Sequence, residues 1–345
     1  MRCPRLTELP PPPIGKTGWP WTEETAPLPA TMSEGRPWPS ISIVTPSFNQ
    51  GVYLEETVRS ILLQGYPNLE HILIDGGSTD GSVAIIKKYA RWLTYWVGER
   101  DRGQAHAINK GLARCTGEVF NWINSDDYLA PGTLGKIAAA FPGADAVAGT
   151  VINFDEAGIQ DPRVPRILDA KRLILADCAS RWHQPGLWLR REGVIACGGI
   201  DESYDLSFDW DLTIRYLSLF PLVKYLPEVF VHFRVHPQAK TASLGDRFTR
   251  ERYRILHKLC DTLRRPSLRN ACQQQIRRVD WGEIVAHVRG DDRRPRLLRA
   301  LQLGVAACSD PRNRVTRFTM GAIRRVLFPA TDTEAPKEVR YGSTR

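Results

Sequence analysis

Val119-Phe120-Asn121-Trp122-Ile123-Asn124-Ser125-Asp126-Asp127-Tyr128 is an apolar run that ends on two adjacent carboxylates. A run this short reads as a strand, and a strand that delivers paired acids to its C-terminal edge is a place to hold a divalent cation against a diphosphate. Outward from it the chain alternates. Residues 41–46 form a short apolar strand that Pro46 stops, 54–64 have helical spacing, 71–75 and 95–98 are strands, and 79–89, 104–114 and 131–141 are helices. Repeated strand and helix segments predict a mainly parallel α/β sheet covered on both faces. Such sheets bind ligands beyond the C-terminal ends of their strands, and the polar residues fall there: Asn49 after the first strand, Asp75 ending the second, Glu99 and Asp101 after the third, Asp126 and Asp127 after the fourth.

With 345 residues and 42% hydrophobic content the chain can bury a substantial core, in one large domain or in a domain with an appendage. Residues 1–39, rich in proline, read as a flexible leader. Residues 40–243 read as one catalytic domain whose second half holds the second substrate. Residues 244–345 read as a basic, helical accessory region. The seven cysteines are scattered with no Cys-x-x-Cys pair, which fits a reduced compartment, cytoplasm by default, and gives no zinc signature. No run approaches the roughly 18 to 20 apolar residues of a spanning helix, so a soluble or peripheral protein is expected. The formal charge of +9 fits nucleic acid, an anionic membrane surface or phosphate-bearing substrates alike. Nucleic acid is not expected, because no zinc finger or aromatic RNA-binding motif accompanies the arginines.

The candidate chemistry sits on this rim. Gly76-Gly77-Ser78-Thr79-Asp80-Gly81 follows a strand and either cradles an anion at a helix N-terminus or only joins strand to helix. Asp75 has the acceptor oxygens to meet a base ring N–H, or else caps the turn. Arg100 offers a planar fork for a base or phosphate, and Asp101 a partner for a sugar hydroxyl. At the end of the acidic strand one carboxylate is available for a metal and the other for a ribose hydroxyl; hard oxygen ligands point to magnesium or manganese. If the bound diphosphate is a sugar donor's leaving group, a separate carboxylate must deprotonate the acceptor hydroxyl. Asp209 in Ser207-Phe208-Asp209-Trp210-Asp211 is the candidate, the alternative being that Asp209 and Asp211 only open a helix. His183, Gln184 and Trp210, with Trp182 and Trp188, suit a sugar acceptor, or form a core cluster around a satisfied histidine. His236, followed by Pro237 and Lys240, approaches the diphosphate or metal from a closing loop, or is simple turn architecture.

Four ordered blocks now stand together: Ile43-Val44-Thr45-Pro46-Ser47-Phe48-Asn49, Asp75 to Gly81, Glu99-Arg100-Asp101-Arg102-Gly103-Gln104 with Ala107, Asn109 and Gly111, and Asn124-Ser125-Asp126-Asp127. In this pattern residues 40–243 resemble the family 2 glycosyltransferases, and the resemblance implies the nucleotide-sugar-binding GT-A fold. It further implies that Thr45, Pro46 and Ser47 line the nucleotide pocket with Asn49, Arg100 and Asp101 beside them, that Asp75 recognises the base, that Asp126 contacts the ribose, and that Asp127 holds Mg2+ or Mn2+. Asp209 looks like the family's base, although Phe208 stands where many members have Glu. A UDP- or GDP-linked donor, inversion at its anomeric carbon, and a saccharide or lipid-linked acceptor in polysaccharide biosynthesis follow from the same resemblance. In the tail, Val315, Thr319, Ala322, Ile323, Val326 and Leu327 share one helical side, which either rests on an anionic leaflet at the inner face of the membrane or packs against the domain. Two other classes remain open: a non-catalytic carbohydrate-binding protein, and a nucleotidyltransferase that releases pyrophosphate. Oligomeric state is not legible.

Overall fold

The computed structural model describes residues 1–155, 157–176, 182–237, 245–290, 294–308, 314–315 and 317–328. Lys240 lies outside them. Strands β1 (Ile41–Ser47), β2 (Leu69–Asp75), β3 (Tyr95–Gly98) and β4 (Val119–Trp122) are parallel, in the order β3-β2-β1-β4. They are joined through α1 (Gly51–Leu62), α2 (Ser82–Tyr89) and α3 (Gln104–Leu112). Every residue of β1 is buried, the hydroxyl residues Ser42, Thr45 and Ser47 included, the consequence of a central parallel strand covered on both faces. Pairing sets Ser47 beside Asp75 and Asp75 beside Gly98, so three strand ends share one edge. Pro46 does not stop β1. The ladder to β4 ends at Val44, so no bond on that side needs the amide that Pro46 lacks.

Beyond β4 come β5 (Tyr128–Leu129), α4 (Thr133–Ala140), β6 (Ala146–Phe154), β7 (Gln160–Arg163), α5 (Ala170–Ile174), β8 (Leu187–Arg190), α6 (Arg191–Ala196), α7 (Phe208–Leu219) and β9 (Val223–Arg234). The sheet continues β8-β6-β9-β5, with β7 on β6. β8 is antiparallel to both β4 and β6, whereas β6 and β9 are parallel. One half of the sheet is thus parallel and the other mixed, and β9 carries the chain back along the sheet to the acidic turn.

The first 39 residues are docked, where the sequence predicts a free leader. The Met1 ammonium donates to Leu69 O at 2.7 Å, Cys3 N to Tyr66 O, Thr25 N to Leu63 O and Leu28 N to Gly65 O. The physical reason is Arg59. This fully buried guanidinium of α1 donates to the carbonyls of Pro10, Pro20 and Trp21 and to the Tyr89 hydroxyl. A buried cation of this kind demands acceptors, and a proline-rich segment, whose carbonyls are not consumed by a regular ladder, supplies them.

At the other end, α8 (Gly245–Thr262) and the start of α9 (Pro266–Gly290) insert Ile255, Leu256, Leu259, Leu268 and Cys272 into the same core as Val44 and Ile72. The rest of α9 joins α10 (Arg296–Cys308) and α11 (Arg317–Leu327) in a smaller cluster around Trp281, Val285, Leu303, Ala322 and Val326. The side of α11 built on Thr319, Ala322 and Val326 is therefore already covered, the Trp281 indole donating to Thr319 Oγ1 at 2.9 Å. Outward-facing apolar residues lie on α10, where Leu297, Leu298, Leu301 and Val305 are all more than half exposed, and on the other side of α11, where Phe318 and Met320 are too. No helix of the described residues is long and apolar enough to cross a membrane, and the six described cysteines are free thiols.

Candidate active site

The shared strand edge opens on a cavity of about 940 Å3. Pro46 and Ser47 from the end of β1 line it, with Gly76, Gly77 and Thr79 after β2, Arg100 and Asp101 after β3, and Asn124, Ser125 and Asp126 after β4. Trp182, His183, Gln184 and Pro185 face them from the segment before β8. The wall is completed by Asp209 and Trp210 of α7, Phe233 and Arg234 of β9, and Phe248 and Arg252 of α8.

The glycine turn is shaped by its neighbours. A Cβ on Gly76 would stand 2.6 Å from Asp101 Oδ2, and Gly77 has φ +87°, so both positions need glycine for the carboxylate and the Arg100 stem to lie over the turn. Asp101 is steadied by the Gly103 N–H, which donates to its Oδ1 at 2.8 Å. The Ser47 hydroxyl is buried and has no hydrogen-bond partner among the described residues, which leaves it available to a ligand.

Five expected contacts, Thr45, Asp75, Asn49, Asp127 and His236, are not at the cavity wall. Thr45 is buried, its Oγ1 3.0 Å from His71 Nε2. Asp75 is buried beneath the turn, where it accepts from the N–H groups of Gly77 and Ser78 and from the Ser78 hydroxyl. Asn49, at φ 53°, ties the end of β1 to that turn by accepting from Thr79 N. Asp127 is 1% exposed, and its oxygens accept from Arg234 N at 3.0 Å and Asn124 Nδ2 at 3.2 Å. Burial, then the neighbouring Asp126, push its carboxyl well above the usual range. The two acids lie in a turn beyond the end of β4, closed by Asp127 N donating to Asn124 O, and the second acid is the one turned inward.

Asp126 is the acid that faces the cavity. Its Oδ2 lies 3.1 Å from His236 Nε2, and His236, itself buried, keeps an Nδ1 without a partner among the described residues. The turn that carries Asp126 is fastened twice: Thr57 Oγ1 donates to the carbonyls of Ser125 and Asp127, and Arg234 donates from Nε to Asp126 O while its far end pairs with Glu56 at 2.6 Å. One carboxylate oxygen and one imidazole nitrogen converge, and the described residues hold no cluster of three or more His, Cys, Asp or Glu donors. That sparse set fits a cation such as Mg2+ or Mn2+, which keeps waters and substrate phosphate oxygens rather than a full protein cage. It does not fit a structural zinc site.

Across the cavity, Asp209 occupies the first turn of α7, with Trp210 N donating to its Oδ1 at 2.7 Å. Burial raises its carboxyl above the ordinary value; the Trp210 amide and Arg252 oppose that, and Glu251 adds to it. Gln184 donates to Asn121 Oδ1 and Trp122 O and so clamps the 183–185 segment to β4, leaving its carbonyl oxygen for a ligand. Burial also brings His183 down to about 4, so it is neutral near pH 7, with its ring edge-on to Phe233 at 5.3 Å. Sequence reasoning quoted Gln104 and Asn124 without giving them a role, and it missed Arg234, Phe248 and Arg252, all of which line the cavity. Arg234 had a signal, since it ends an apolar run two residues before His236; Phe248 and Arg252 had none, because only the docking of α8 brings them here.

The family model for glycosyl transferase family 2 matches residues 42–227. The chain belongs to that family. A putative teichuronic acid biosynthesis glycosyltransferase, TuaG of Bacillus subtilis, is 38% identical over 103 residues, 28% of this chain and 40% of its own length. Among solved structures, Staphylococcus aureus TarS 1–349 in complex with UDP-GlcNAc superposes with a TM-score of 0.56 at 17% identity, over 69% of this chain and 70% of that one. The Pyrobaculum calidifontis mannosyltransferase PcManGT, in complex with GDP-Man and Mn2+, gives 0.50 at 19% identity over 85% and 88%. These likenesses establish a GT-A-like fold with a largely parallel, curled sheet. The chain spans less than two thirds of the length of the first curated relatives it matches, from 65% down to 40%.

Proposed function

We propose that this family 2 chain is an inverting, divalent-metal-dependent glycosyltransferase that moves a sugar from a UDP- or GDP-linked donor to a hydroxyl of a saccharide or lipid-linked saccharide acceptor. The observation that carries the reading is the shared cavity: Asp126 enters it from the parallel half of the sheet and Asp209 from the other side. Asp126 and His236, rather than Asp127, would hold the cation, which supplies charge stabilisation to the departing diphosphate. Arg100 and Asp101 bind the nucleoside and sugar beside the glycine turn, which Asp75 keeps in shape. Trp210, His183 and Gln184 receive the acceptor, the rings covering its apolar face and the Gln184 carbonyl accepting a hydroxyl.

Asp209 takes the acceptor hydroxyl proton as the new oxygen-to-carbon bond forms at the anomeric centre and the bond to the diphosphate breaks, its electron pair leaving with the nucleoside diphosphate. One displacement inverts that carbon. A raised carboxyl pKa suits the task, since a base works best when its pKa is near the working pH. The test is turnover of a UDP- and GDP-sugar panel with Mn2+ and product identification. Release of a nucleoside diphosphate is expected. Pyrophosphate from a nucleoside triphosphate would make the protein a nucleotidyltransferase, and saturable sugar binding with no release from any donor would make it a carbohydrate-binding protein.

For location we propose the anionic face of a membrane. All of the excess positive charge belongs to residues 245–345, with 23 Lys and Arg against 11 Asp and Glu, whereas residues 1–244 carry 24 against 27. The exposed leucines of α10 sit within that basic region and give an apolar stripe to enter the interface.

A further inference from the structure

Asp209 reaches the cavity from the first turn of α7, yet the chain just before that turn is held from α8. Glu251, 9% exposed, accepts from three successive main-chain N–H groups: Asp205 at 2.9 Å, Leu206 at 2.7 Å and Ser207 at 2.6 Å. Hydrogen bonds to an ionised acceptor are the strong ones, and one carboxylate here fixes three consecutive peptides. The same helix pins the loop a second time through Lys258 and Asp201 at 2.5 Å. Ser207, at the N-cap position of α7, gives that helix no side-chain cap; its hydroxyl is buried without a partner among the described residues. Orientation of the first turn of α7 therefore depends on Glu251 more than on a local cap.

We propose that Glu251 is a positioning residue for the transfer reaction: by fixing residues 205–207 it sets where the carboxylate of Asp209 meets the acceptor. This rests on the reading of Asp209 as the base. The charged groups acting on Asp209 are both on α8, Glu251 raising its carboxyl and Arg252, whose guanidinium lies 5.3 Å from the Trp210 ring, lowering it. The signs are opposite. Removing the charge of Glu251 lowers the Asp209 carboxyl and carries the acidic limb of the turnover profile to lower pH, while removing that of Arg252 carries it to higher pH.

The experiment uses the full chain, Mn2+ and a nucleotide-sugar that the wild type turns over, with kcat, donor KM and the pH profile measured for wild type, Glu251→Ala, Glu251→Gln and Asp209→Asn. Glu251→Ala should lose roughly 100-fold in kcat, the scale of an ångström-sized misplacement, with donor KM held within about threefold. Glu251→Gln, which keeps one acceptor oxygen, should recover part of kcat and show the acidic limb displaced to lower pH. A kcat for Glu251→Ala within about twofold of wild type overturns the proposal, and so does a Glu251→Gln profile that coincides with wild type. If Glu251→Ala does not fold, the Glu251→Gln profile decides alone. An Asp209→Asn variant as active as wild type overturns the base reading itself, which separates the two failures.

Discussion

Asp126 and Asp127 are neighbours with opposite surroundings, and the difference is the sharpest residue-scale consequence of the fold. Asp126 faces the cavity beside His236, whereas Asp127 is spent on the Arg234 amide and Asn124. From the sequence the pair was expected to serve metal and sugar; the residues alone left open which acid did which job, and the family resemblance gave the ribose to Asp126 and the metal to Asp127. Replacing Asp126 with Ala should cost roughly 100-fold or more in Mn2+-dependent turnover and weaken Mn2+ binding by at least about tenfold. Asp127→Asn, which keeps one acceptor oxygen for the Arg234 N–H, should leave Mn2+ affinity within about threefold. Calorimetric titration of Mn2+ into donor-bound protein compares the two, and the reverse ranking restores the metal to Asp127. His183, Gln184 and Trp210 were found from composition alone, as aromatic rings mixed with hydrogen-bonding groups. Asp75 and Thr45 were misplaced because proximity to a strand end does not say which way a side chain turns.

At the scale of elements, β1 to β4 were readable because each is a short segment with an apolar core between breakers, and β3 was read to the residue. Helix starts were harder. The chain around α7 reads either as a catalytic loop or as a helix N-terminus; it is a helix N-terminus whose first turn lines the cavity. The docked leader was not legible: its proline content signals only the absence of regular structure, and the groups that hold it, the buried Arg59 among them, lie on other elements. Arg59→Ala should remove donors from three main-chain carbonyls and loosen residues 1–39, at a cost of about 3 kcal/mol. Urea unfolding of the variant against wild type measures it, and a loss below about 0.5 kcal/mol would mean that the leader is held by its other contacts.

The whole molecule joins a near-neutral transferase domain to a strongly basic helical end, and composition alone hid this because the two contributions merge into a net +9. Of the two readings of the apolar side in the tail, packing is the one that holds for Thr319, Ala322 and Val326; helical periodicity identifies an apolar side without saying whether another helix already covers it. With that side packed on α9 and α10, the membrane contact we propose rests on the exposed residues of α10. Wild-type protein should float with vesicles containing anionic phospholipid and not with neutral ones, and Leu301→Asp with Val305→Asp should reduce the bound fraction by at least about fivefold without changing turnover of a soluble donor. Equal binding to neutral vesicles, or no effect of the pair, would remove the membrane from the picture. The most direct measurement of how the two halves of the cavity cooperate is the anomeric configuration of the transferred sugar, read by NMR, together with the rate of Asp209→Asn. Inversion is expected, with transfer reduced roughly 100-fold or more in the variant while donor KM is kept; a product that retains the donor configuration, or an Asp209→Asn enzyme at wild-type rate, would contradict a single displacement driven by Asp209.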